Sequence, residues 1–199
     1  MATLEKIRSK GALLVIVIGL ALLAFIIGDF LNSSSSFFNQ SREKIAIVGD
    51  EDINIHEFSD AVDQMTEVYK IETGQTDLNE QILSQIRASV WENMVNEKIL
   101  YAEAKKLGLT VSADELSDRL IGKNIHPLIL QRRAFMDQNG QFSRSLLVQF
   151  LNSLDATPTN SEMKQQIDQA KNYWMFWEHN VKNTILQENI KKLKKVTDL

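Results

Sequence analysis

Cysteine is absent from all 199 residues. Its absence excludes disulfides, thiolate metal sites and a lipid attached to an N-terminal cysteine. Proline occurs twice and glycine eight times, a scarcity that suits helices. Positive charge is in deficit, with 22 Lys and Arg against 26 Asp and Glu and a net charge of −4; an acidic chain does not suggest nucleic-acid binding. Catalytic patterns are missing as well. His56, His126 and His179 stand far apart, and none has a metal-ligating neighbour at i+4. There is no nucleophile elbow, phosphate loop or zincin motif. Asp50, Glu51 and Asp52 fit no calcium-loop spacing and read as a solvated acidic turn. The residues thus point to no catalytic group, no cofactor and no metal.

What the chain does have is one uncharged apolar run, Gly11 to Gly28, preceded by Lys6, Arg8 and Lys10 and followed by Asp29. As a helix it rises about 27 Å, close to the hydrocarbon thickness of a bilayer. A signal-peptide core is shorter and ends in a small-x-small cleavage site; Gly28-Asp29-Phe30-Leu31-Asn32 offers none. The run therefore reads as an uncleaved, single-pass membrane anchor. The basic flank places the N-terminus in the cytoplasm and the bulk of the chain outside. That outside is the periplasm of a bacterial inner membrane, or a secretory lumen in a eukaryote. The run contains no ionisable residue, so it carries no proton or ion path. Ala21, Ala24 and Gly28 form a small-residue face on which another membrane helix could pack; a plain anchor is the simpler reading.

Residues 1–32 are read as flank and anchor, and 33–43, opening on four serines, as a flexible linker. Residues 44–199 form one mainly helical domain. It begins with a β-hairpin around Gly49-Asp50. Four helix starts carry a short polar cap with Glu three residues on: Asn54/Glu57, Asp77/Glu80, Ser112/Glu115 and Thr159/Glu162. They predict helices over about 55–72, about 78–106, after Ser112, and about 160–195, with a further short helix from Ser143 and an irregular segment from Gly122 to Gly140. Gly108 is placed to close the second helix. That helix repeats Leu78, Ile82, Ile86, Val90, Met94 and Ile99, widened by Trp91 and Val95, an amphipathic period. The longest helix repeats Met163, Ile167, Ala170, Trp174, Trp177, Val181 and Ile185, a heptad-like seam that needs a partner. The partner is either the second helix or something outside the chain.

Tyr173-Trp174-Met175-Phe176-Trp177 points around much of the helix circumference, so one face must leave the local core. The candidate apolar binding residues are Phe135, Met136 and Phe142 in the irregular segment and Trp174, Phe176 and Trp177 on the long helix, with ordinary core packing as the alternative for each. Adaptable Met and aromatic surface is what binding varied apolar partners requires.

Three stretches, in order, resemble one family. Ile45-Ala-Ile-Val-Gly-Asp-Glu-Asp-Ile-Asn-Ile-His-Glu-Phe58 is similar to the opening hairpin and helix of SurA-like and PpiD-like folding factors, with Val48-Gly49-Asp50 in place of their usual Val-Asn-Gly. Asn96-Glu97-Lys98-Ile99-Leu100-Tyr101-Ala102-Glu103-Ala104-Lys105-Lys106-Leu107-Gly108-Leu109-Thr110-Val111-Ser112, continued by Asp114-Glu115-Leu116, resembles their leucine-rich helix and the turn and helix after it. Asn139-Gly140-Gln141-Phe142 resembles their Asp-Gly-x-Phe loop. The resemblance extends over about residues 1–190. It implies a helical SurA-type N-terminal domain in a membrane-anchored periplasmic chaperone that holds unfolded or newly translocated polypeptides near the Sec translocon. Relatives also carry a parvulin-type peptidyl-prolyl isomerase domain; its Gly-Asp-Leu-Gly-x-Phe segment is not in this chain, so the resemblance assigns isomerase activity to no residue here. A non-catalytic scaffold subunit of a translocon or secretion complex, or a stalk for an enzyme domain, remain the other readings.

Overall fold

The computed structural model describes residues 43–197. The expected anchor with Ala21, Ala24 and Gly28, its basic flank, and the linker up to Arg42 lie outside the described residues. Among the described residues, no helix is long and apolar enough to cross a membrane. The chain divides between Ile45 and Ala46, and the packing described here belongs to the larger unit.

The architecture is mainly helical, with one two-stranded sheet and a long final helix, as the sequence leads one to expect. Strands β1 (Lys44–Val48) and β2 (Glu51–Asn54) pair as a hairpin. Asn54 ends the hairpin and begins α1 (Ile55–Thr73), its Oδ1 accepting the His56 N–H at 2.7 Å. α2 (Glu80–Leu107) ends on Gly108 at φ 66. With this left-handed residue, Leu109 N–H reaches back to the Ala104 carbonyl at 2.9 Å, as a helix-closing glycine permits. Ser112 caps α3 (Ala113–Leu120) through the Glu115 N–H at 3.1 Å.

Two expected caps are displaced. α2 is capped by Asn79, which accepts from Ile82 N–H at 2.9 Å, not by Asp77. Leu78 packs with the core around Ile86 and Val90 from just outside the helix, so the helix begins after it. α6 (Ser161–Thr197) is capped by Asn160, which accepts from Met163 N–H at 2.7 Å; the Thr159 hydroxyl instead meets Met163 Sδ at 3.5 Å.

The segment expected to be irregular is largely so, and holds one turn of helix, a 3₁₀ turn and a bridge. His126 Nδ1 accepts the Leu128 N–H at 3.2 Å and starts the one-turn helix α4 (Pro127–Leu130). A 3₁₀ turn, Arg133–Phe135, follows. Met136 and Phe142 then form an antiparallel bridge, closed by Asp137, whose Oδ1 accepts from Asn139 and Gln141 N–H at 2.8 and 2.9 Å. Gly140, at φ 74, lets this turn close. α5 (Arg144–Leu154) comes next.

The core falls into three clusters. The hairpin, α1 and α2 bury Ile53, Ile86, Val90 and Met94 together. α3, α4, α5 and α6 bury Leu120, Ile129, Phe135, Leu147, Tyr173, Val181 and Ile185, with Val68 of α1. Ala104, Leu186 and Ile190 close α2 against α6. α6 touches α1, α2, α3, α4 and α5, so the partners of the long seam lie within the chain. Of the expected seam positions Val181 and Ile185 are buried and the other five half-buried, while Tyr173, Leu186 and Ile190 are buried beside them. A heptad seam assumes one neighbour, whereas α6 has five, spread around its circumference. α2 shows the same effect. Its stripe serves α1 as far as Met94, then passes to α6 through Tyr101 and Ala104, which leaves Ile99 51 % exposed.

Candidate functional site

The candidate aromatics come together around one core. Phe135 is encased, with its ring edge-on to Phe150 at 5.3 Å and to Trp174 at 6.3 Å. Phe150 also meets Tyr173 at 6.0 Å, and Tyr173 meets Trp177 at 6.3 Å. Phe142, Trp174, Phe176 and Trp177 are half-buried against this cluster. Met136 is half-buried and held opposite Phe142 by their bridge. Phe135, in contrast, has 0 % exposure. The expectation that it offers binding surface is corrected: the ordered turn that carries it drives the ring inward between α5 and α6. The side chain that leaves the core in the Tyr173–Trp177 run is Met175, 60 % exposed.

A polar constellation the sequence does not signal sits beside these rings. Tyr173 Oη donates to Glu72 Oε1, tying α6 to the end of α1. Burial, then the Glu72 contact, hold the Tyr173 hydroxyl far above its ordinary pKa, so it is a permanent donor. Arg132 Nη1 stands 3.6 Å from the same carboxylate, and its guanidinium lies 3.8 Å above the Trp177 ring. Arg133 donates to the Glu72 carbonyl at 3.4 Å. These contacts join residues 45 to 101 apart in sequence, and no local spacing announces them.

The three histidines have separate surroundings. His126 is buried at 4 % exposure, and its pKa is lowered by burial and then by Arg119. Arg119 itself pairs with Glu188 at 3.1 Å. His179 is raised by its hydrogen bond to Glu97 at 3.0 Å. Asn183 Nδ2 approaches the same His179 nitrogen at 3.1 Å, while Asn183 Oδ1 accepts from Tyr101 Oη at 2.7 Å. A protonated Nε2 donates to Glu97; a bare one accepts from Asn183. The proton on Nε2, present in the charged ring and in one neutral tautomer, therefore decides the partner.

His179 lies on a cleft of about 310 Å³ between α1, α2 and α6, lined by Met65, Leu100 and Phe176 and by a row of amides. Phe176 is the candidate aromatic that reaches this cleft. Among the described residues no three His, Asp or Glu side chains gather as a metal would need. The chemistry on offer is apolar contact, hydrogen bonding by amides and the Glu97–His179 pair.

A family profile described as the SurA-like N-terminal domain matches residues 4–151. The match begins ahead of the apolar run and ends within α5, so α6 lies beyond it. No curated protein and no solved structure matches the chain.

Proposed function

The chain belongs to the SurA-like N-terminal domain family, and from that premise we propose that it is a chaperone-type module that holds unfolded polypeptides at a membrane. The family match over residues 4–151 carries this reading. The aromatic and methionine side chains that remain accessible support it: Met136, Phe142, Trp174, Phe176 and Trp177 are half-buried, and Met175 is exposed. Such side chains repack around varied apolar segments and need no reactive group. Residues 11–28 are the proposed anchor, with the N-terminus in the cytoplasm and the helical body in the bacterial periplasm. A place beside the Sec translocon, where unfolded chain emerges, is the corresponding site of action. Peptidyl-prolyl isomerase activity is not part of the proposal.

The test is suppression of aggregation of a denatured model protein by the full chain in lipid nanodiscs, followed by light scattering. Suppression at stoichiometric ratios supports holding. A folded helical protein without effect supports the second reading, a scaffold subunit. The uncharged small-residue face at Ala21, Ala24 and Gly28 favours that reading. Crosslinking from Ala24 to neighbouring membrane helices would then be the decisive measurement.

A further inference from the structure

α2 and α6 run parallel and in register: Glu97 meets His179, and Tyr101 meets Asn183, each pair 82 residues apart. The cleft along their seam does not stop at its first chamber. A second hollow of about 350 Å³ shares Asn96, Leu100 and Gln187 with it and runs on to Glu103 and Lys194. On α2 the combined groove extends from Val90 to Glu103, about 20 Å at about 1.5 Å per residue. That length holds about six residues of extended chain at about 3.3 Å each.

The lining has a definite chemistry. Met65, Leu100 and Phe176 give it apolar contact surface. Asn93 and Asn96 on one wall and Gln187 on the other are exposed, and among the described residues their side-chain amides meet no hydrogen-bond partner. An amide offers donor and acceptor together, which matches the alternating N–H and C=O of a polypeptide main chain. Along the walls Glu97 faces His179 and Glu103 pairs with Lys194, and Lys191 adds one cation at the far end. A neutral main chain finds amide partners on both sides.

We propose that the α2–α6 groove binds an uncharged, extended polypeptide segment by its main chain, with Asn93, Asn96 and Gln187 as the reading groups. The inference rests on the chaperone reading and sharpens it. Main-chain recognition lets one site accept many sequences, and it requires the segment to be unfolded, since folded chains have already paired these groups.

The test uses the full chain in nanodiscs and two fluorescent peptides of about eight residues, built from Ser, Ala, Leu and Phe. One is unmodified; the other is N-methylated at alternate residues, which removes main-chain donors and keeps the side chains. Fluorescence anisotropy is expected to show the methylated peptide binding about tenfold more weakly, the size of one or two lost hydrogen bonds. In the double variant Asn96→Leu/Gln187→Leu that ratio is expected to fall to about one, while circular dichroism stays unchanged. Equal affinity of the two peptides for the unaltered protein, or a ratio the double variant leaves intact, overturns the inference. Light scattering on the same samples separates the failures. Aggregation suppression without peptide discrimination overturns the groove assignment alone. No suppression and no peptide binding overturns both the inference and the reading beneath it.

Discussion

The guanidinium of Arg132 rests 3.8 Å above the ring of Trp177 while one of its nitrogens stays 3.6 Å from Glu72. The cation thus sits between an indole of α6 and a carboxylate of α1, and the loop that carries it is pinned to both helices. Its exposure is low, 16 % for the side chain, and little water screens either contact.

Arg132→Lys keeps the charge and loses the planar stack, so it is expected to cost about 1 kcal/mol. Arg132→Ala removes the packing too and is expected to cost about 2 kcal/mol. Urea unfolding followed by Trp fluorescence checks both; equal stability of the three proteins would show the stack to be idle.

Phe135→Ala is expected to cost about 3–5 kcal/mol, the range for a large ring removed from a core. Phe135→Leu, which keeps most of the volume, is expected to lose less than half of that. Midpoints of urea unfolding measure the difference. Loss of aggregation suppression in Phe135→Ala would then report unfolding and not a lost contact.

Asn79→Ala and Asn160→Ala are each expected to cost about 1 kcal/mol by removing a helix cap. Asp77→Ala and Thr159→Ala are expected to stay within about 0.5 kcal/mol. The reverse order, read by thermal unfolding, would restore the caps inferred from spacing.

The two shifted histidines tilt stability with pH in opposite directions. His179 is raised in the folded state, so its contribution is full below its ordinary pKa of about 6.5 and fades as pH climbs through the raised value. His126 is lowered, so stability is lost as pH falls below about 6.5 toward its depressed value. The His179 side chain is 48 % exposed, and solvent holds its effect to a few tenths of a kcal/mol. His179→Gln is therefore expected to destabilise slightly at about pH 5.5 and less at about pH 8.5. Urea midpoints at the two values check the sign.

The local elements were legible because their signals are local. Asn54, Ser112 and Gly108 act on neighbours within a few residues, and each ends or starts the helix the sequence assigns to it. The caps at Asn79 and Asn160 were misread by one or two positions, since several short polar residues stand together and packing chooses among them. The candidate surface was legible in kind and not in exposure. Aromatic density at 173–177 located the cluster, yet only the arrangement of α5 and α6 decides that Phe135 is enclosed and Met175 is not. Glu72, Arg132 and Tyr173 were illegible, because their meeting depends on three segments crossing. The amides of the groove carry no signal for a related reason: singly, Asn96 and Gln187 look like any solvated helix residues.

α6 is 37 residues long and carries buried side chains of two of the three clusters. Its contacts with α1 bridge about a hundred positions of sequence. Such distant closures are slow to form. As the chain is synthesised, α1 to α5 emerge while their common backbone of support is still to come. Until α6 arrives, Ile129, Phe135 and Leu147 lack the neighbours that cover them. During that interval the protein is itself an incomplete polypeptide with apolar residues uncovered.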